Sequence, residues 1–84
     1  MAYDVLLKRS AEGELNHLPK AIYTRVIKTL VSLKDNPHPL GIKKLHGREG
    51  YRVRVGSYRI LYTVNDPAKQ IDVYSIAHRK DVYR

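Results

Sequence analysis

YRVRVGSYRILYTV, residues 51–64, consists of two runs of alternating apolar and basic residues broken by Gly56 and Ser57. That is the pattern of a tight β-hairpin with glycine at the first turn position. With a two-residue turn, residues whose numbers sum to 113 lie opposite one another. Arg54 then faces Arg59, with Arg52 two residues along on the same side. Tyr51, Val53, Val55, Tyr58, Ile60, Tyr62 and Val64 fall on the other side, an apolar surface fit to cover a core. Like charges placed opposite one another destabilise a sheet. Three arginines at this spacing therefore point to a partner outside the chain that neutralises them, and a polyanion fits.

The charge of the whole chain agrees. The 84 residues carry 16 basic and 8 acidic side chains, net +8. Residues 1–42 hold six basic and four acidic groups, net +2, and residues 43–84 hold ten and four, net +6. Clustered Arg and Lys are the electrostatic footprint of a nucleic-acid binder, because phosphate contacts release counterions. The length predicts one domain over residues 1–84, close to the smallest size at which a core holds without a staple. No cysteine is present, so disulfides and thiolate metal sites are excluded and a reducing cytoplasm is the expected compartment. The opening MAYDVLLKRSAEGEL reads as neither a secretory signal nor a membrane span.

Outward from the hairpin, Tyr3 to Leu7 reads as a short strand. Ser10 is the expected N-cap of a helix with Glu12 and Glu14 in its first turn, and Ala11, Leu15 and Leu18 form its apolar stripe. Pro19 stops that helix and suits the start of the next. There Ile22, Val26, Leu30 and Leu33 make a stripe widened by Tyr23, Ile27 and Val31, wide enough to offer a further apolar surface. Asn36, Pro37 and Pro39 end it. The segment PHPLGIKKLHGREG reads as irregular, with Leu40, Ile42 and Leu45 pinned to the core and Lys43, Lys44 and Arg48 pointing outward. Asn65, Asp66 and Pro67 make a turn, and QIDVYSIA is a last strand. The expected fold is α+β, in the order strand, helix, helix, strand, strand, strand. A helical hairpin packs on one face of a small, mostly antiparallel sheet, and the arginines lie on the open face.

With KKLHG ahead of the hairpin, YRVRVGSYRILYTV within it and AHRKDVY near the end, the chain resembles the RelE/ParE superfamily of toxins from toxin-antitoxin systems. The resemblance covers almost the whole chain. It implies a toxin of a type II system that cuts messenger RNA on the ribosome as a metal-independent endoribonuclease, and a cognate antitoxin that wraps it. Two other readings stay open: a ParE-like poison of DNA gyrase, and a non-catalytic RNA-binding or repressor-partner module. The resemblance also implies an RNA site lined by the residues at Arg52, Arg54, Arg59, Arg79 and Tyr83. The best-studied RelE-like site has lysines where Arg52 and Arg54 stand. A guanidinium binds phosphate well but scarcely serves as a base.

RNA cleavage without a metal needs a 2′-hydroxyl deprotonated, the charge of a phosphorane-like state stabilised and the leaving 5′-oxygen protonated. Arg59 and Arg79 are the candidates for stabilising charge, unless they merely pair with Asp66, Asp72 or Asp81. His78 belongs to the one side-chain type in the C-terminal cluster that titrates near neutrality, so it is the candidate acid or base. Its bland role is to cap the last strand. Tyr83 is suited to stacking on a base or to proton transfer, or else to anchoring the tail. Lys43, Lys44 and Arg48, with Arg52 and Arg54, make up the expected RNA-binding set. His17, His38 and His46 lack metal-ligand spacing, so neither a metal nor another cofactor is expected.

Overall fold

A computed structural model describes residues 2–38, 43–45, 50–78 and 80. Its elements are β1 (Asp4–Leu7), α1 (Arg9–Asn16), α2 (Lys20–Asp35), β2 (Lys43–Lys44), β3 (Tyr51–Val55), β4 (Tyr58–Asn65) and β5 (Gln70–His78). The strands form one sheet in the order β1-β5-β4-β3-β2. β1 runs parallel to β5, and the other neighbours are antiparallel. This is the α+β architecture expected from the sequence, with one addition. Lys43 and Lys44, expected in an irregular segment, pair with Arg52 and Tyr51 as a two-residue edge strand.

The helices cover one face of the sheet because their apolar stripes have nowhere else to go. Ala11 and Leu15 of α1 and Val26, Leu30 and Leu33 of α2 form a single core with Val55, Ile60, Tyr62, Ile71, Val73 and Ile76. Leu18, Ile22 and Ile27 pack at its margin. Tyr23 and Val31, which widen the α2 stripe in sequence, are exposed.

Ser10 does not cap α1. The helix begins two residues earlier than a Ser10 cap would give, with Lys8 at the cap position and no side-chain cap bond. The reason lies in the sheet: β1 pairs with β5 only as far as Val73, which leaves the edge of β5 open beyond it. α1 closes that edge. The Ser10 hydroxyl donates to the Tyr74 carbonyl (3.1 Å), and Glu14 Oε1 accepts the Ile76 N–H (2.9 Å). The i, i+4 spacing of Ser10 and Glu14 puts both on one face of the helix.

The hairpin has the register read from its turn, with Val55 opposite Tyr58, Arg54 opposite Arg59, Val53 opposite Ile60 and Tyr51 opposite Tyr62. Gly56 takes a φ of 60°, a conformation that side chains with a Cβ disfavour. Between β4 and β5 the register shifts: Leu61 pairs with Ser75 but Tyr62 pairs with Val73, so Tyr74 is an extra residue in β5. Such a bulge exchanges the faces of everything beyond it. Ile76 joins Ile71 and Val73 in the core, while Ser75 and Ala77 move to the other face.

The described residues on either side of β2 are tied to the sheet. Buried Tyr62 donates its hydroxyl to the Pro37 carbonyl (2.9 Å), and the His38 ring meets Tyr51 edge-on. Beyond β2 the Leu45 N–H donates to the Gly50 carbonyl (3.0 Å). Leu45 is half-buried, whereas Leu40 and Ile42 lie outside the described residues. No described helix is long and apolar enough to cross a membrane.

Candidate functional site

The sheet face turned away from the helices is hollowed rather than flat. Alternation places Arg52 and Arg54 of β3 and Arg59 of β4 on that face, and pairing with Arg52 adds Lys43 from β2. These four cations line one hollow of about 280 Å³. Arg54 is exposed, Arg52 half-buried, and Arg59 only 7% exposed. The expectation of an open face is corrected here: Leu61 on the same face is 3% exposed, yet it belongs to no part of the helix-side core. Arg59 therefore lies in the floor of the hollow. Its neighbour in β5 is Ala77.

A cation set in a low-dielectric floor pulls harder on an entering anion than one on an open surface. Guanidinium groups suit phosphate because their N–H groups form a planar fork. Asp66 and Asp72, the described carboxylates considered as partners for the arginines, have other partners: Asp66 accepts from Tyr3 and Asp72 from Gln70. Burial, together with the nearby phenol of Tyr51, pushes the Tyr62 hydroxyl up to about 12, so it remains a donor to Pro37. A larger hollow of about 530 Å³ is lined by Lys44, Tyr51, Thr63, Asp66 and Asp72 among others. Two carboxylates against one amine make it a poor seat for phosphate.

Of the residues singled out in the sequence, Lys43, Arg52, Arg54 and Arg59 come together. Lys44 does not join them. It neighbours Tyr51, one step along from the Lys43–Arg52 pair, and alternation turns it to the other side. His78 is also elsewhere. The Tyr74 bulge sets it opposite Tyr58, on the face that carries the core, where the two rings meet edge-on at 5.4 Å. The sheet thus stands between this imidazole and the described arginines. Arg48, Arg79 and Tyr83 lie outside the described residues. Sequence reading missed the burial of Arg59, although Ile60, Leu61 and Tyr62 form an unbroken apolar run, the mark of a strand covered on both faces.

A family model described as "ParE toxin of type II toxin-antitoxin system, parDE" matches residues 5–83. The chain belongs to the RelE/ParE toxin superfamily. It is thus a type II toxin-antitoxin toxin by family. Toxin RelE of Mycobacterium tuberculosis is 31% identical over 84 residues, spanning 98% of this chain and 87% of the relative. Putative toxin RelE1 of Methanocaldococcus jannaschii is 31% identical over 88 residues, spanning 100% and 98%. The fold is similar to that of the archaeal RelE in the RelE–RelB complex from Pyrococcus horikoshii, with a TM-score of 0.84 and 32% identity over 98% of this chain and 100% of that one. The family model bears the ParE name and these relatives the RelE name. Fold does not separate the two kinds of toxin, so the separation falls to the site.

Proposed function

We propose that this RelE/ParE toxin is an endoribonuclease that cuts messenger RNA on the ribosome, and that a cognate antitoxin silences it. The observation that carries the reading is the hollow in which Lys43, Arg52, Arg54 and Arg59 converge. Four cations around one small cavity suit a phosphate diester, and an arginine in the floor suits the charge that builds on phosphorus when the 2′-oxygen attacks and the P–O5′ bond breaks. Arg59 supplies charge rather than a proton, since a guanidinium stays protonated. Arg79 is assigned a share in that stabilisation and Tyr83 a place against the base or the leaving oxygen, both on the strength of the family resemblance. Arg48 is assigned to extend the contact with the RNA backbone, on the strength of its place in the basic segment ahead of the hairpin.

The antitoxin reading is supported by relatives whose solved structures are RelE–RelB complexes. An acidic segment that wraps the toxin would neutralise the arginine hollow and cover exposed apolar side chains such as Tyr23 and Val31. The second reading, a gyrase poison, is favoured by the ParE name of the matching family model. Brief expression in cells with mapping of transcript 5′ ends decides between them. Cuts inside translated regions support RNA cleavage, whereas intact messages with chromosomal breaks support gyrase poisoning.

A further inference from the structure

β3 begins at Tyr51, which pairs with Tyr62, while β4 runs on to Asn65. The sheet therefore has a step at the start of β3, and the hollow of about 530 Å³ lies there, bounded by Tyr51, Thr63, Asn65, Asp66 and Asp72 among others. That is the size of a small-ligand site. Alternation along β4 puts Thr63 and Asn65 on the face of Arg59, and pairing with Thr63 puts Asp72 there too. From Arg59 to Thr63 is about 13 Å of strand, so an extended RNA chain with one phosphate at Arg59 passes this step within a few nucleotides. Tyr51 is a fixed wall, since its ring is met edge-on by His38 and its centroid lies 5.8 Å from that of Tyr62. The polar groups accept more than they donate. Asp72 Oδ1 accepts from Gln70, and Asp66 Oδ1 accepts from the Tyr3 hydroxyl. The Oδ2 of each has no hydrogen-bond partner among the described residues. Asn65 uses its oxygen to accept the Ala68 N–H (3.1 Å), which leaves its amide nitrogen as a donor.

We propose that this hollow receives one base of the message, and that Asp72 selects a base with an exocyclic amino group over uracil. A phosphate is turned away by the two carboxylates, so what enters from an RNA chain is a base. Cytosine, adenine and guanine each carry an amino donor, and its bond to a carboxylate is charge-assisted. Uracil sets carbonyl oxygens on both sides of its one N–H, so an acceptor faces the carboxylate and the charge goes unmatched. Lys44, also in the lining, repels a second cation and disfavours a basic protein side chain as the occupant. The proposal rests on the RNA-cleavage reading and deepens it with a site of base specificity.

Cytosine and uracil are alike in size and differ in amino against carbonyl, so they make the comparison. Single-turnover cleavage is measured on ribosome-bound messages that differ in one nucleotide, which is moved along the positions on either side of the cut. At one position the parent is expected to cut the cytosine message at least about tenfold faster than the uracil message, the discrimination of one good base contact. Asp72→Asn keeps the shape and an acceptor for Gln70, and its amide nitrogen can donate to uracil. In this variant, confirmed folded by its melting curve, the ratio is expected to fall to within about threefold of unity. The absence of any such preference in the parent overturns the proposal. So does a preference that Asp72→Asn leaves unchanged, which assigns it to the ribosome, including the case where both messages slow equally. A parent protein that leaves every message intact refutes the cleavage reading instead. Equilibrium binding of short oligoribonucleotides then decides the hollow: tighter binding of cytosine than of uracil by the parent but not by Asp72→Asn supports it, and any other pattern overturns it.

Discussion

Arg54 and Arg59 stand directly opposite one another in the β3–β4 ladder, the first exposed and the second 7% exposed. Facing guanidiniums repel, so the pair costs the folded sheet stability. Arg54 is the member whose removal opens no hole. Arg54→Ala is therefore expected to leave the melting temperature unchanged or raised by a few degrees, and to weaken RNA binding. Losing one phosphate contact reduces the slope of log affinity against log salt by about 0.7 for a single strand. Melting curves and a salt titration check both. A lower melting temperature with an unchanged slope would make Arg54 part of the scaffold.

Glu14 should matter more to stability than an acid in a short helix ordinarily does. Its Oε1 accepts the Ile76 N–H on the β5 edge. Glu14→Ala strips that N–H of its partner, at a cost of about 1–3 kcal/mol. A domain of this size then melts roughly 5–15 °C lower. Glu14→Gln keeps an acceptor and should stay close to the parent in the same melting experiment.

Two glycines should respond in opposite directions to alanine. At Gly50, with φ 121°, a Cβ would stand 2.8 Å from the Tyr62 carbonyl oxygen, and backbone cannot yield as a flexible side chain can. Gly50→Ala should lower the melting temperature by more than about 10 °C, since a strained backbone site and a clash add. At Gly13, inside α1, a Cβ meets nothing within 4 Å. Gly13→Ala should gain about 0.5–1 kcal/mol of helix propensity and melt a few degrees higher.

The hairpin register was legible because Gly56 and Ser57 leave room for only one turn, and the turn fixes every pair after it. The bulge in β5 left a trace as well. Ile71 and Val73 are two apart but Ile76 follows at three, which breaks strict alternation and moves His78 off the arginine face. β2 left none. Two adjacent lysines carry no alternation, and a two-residue strand is too short to show a period. Nor did the Ser10 and Glu14 bonds to β5, because capping by the local chain and bonding to a distant strand edge call for the same residue types.

Alkaline pH should find Tyr62. Its phenol rises from 10.0 to about 12 in the folded chain, mainly through burial. The neutral form is the one that folding favours, so this stabilisation is complete below about pH 10 and is lost as pH climbs through 12. Tyr62→Phe should lower stability by about 1 kcal/mol at neutral pH through the lost bond to Pro37. It should also flatten the fall in stability above pH 10. The flattening is only partial, because Tyr3 is shifted in the same direction by its hydrogen bond to Asp66. Denaturant titrations at a series of pH values check the effect. An identical alkaline profile for Tyr62→Phe would contradict it.

The central claim is that Arg59, in the floor of the cationic hollow, stabilises the charge on the phosphate being cleaved. The most direct test is the single-turnover rate of messenger RNA cleavage on ribosomes for the parent, Arg59→Lys and Arg59→Ala, each confirmed folded by its melting curve. Loss of a charge-stabilising donor at a reacting centre typically costs about 10² to 10³ in rate. Arg59→Ala is expected to fall by that factor while remaining folded, with Arg59→Lys in between because it keeps the charge and loses the fork. If folded Arg59→Ala cleaves at the parent's rate, Arg59 is a structural residue and the hollow is not the reaction site.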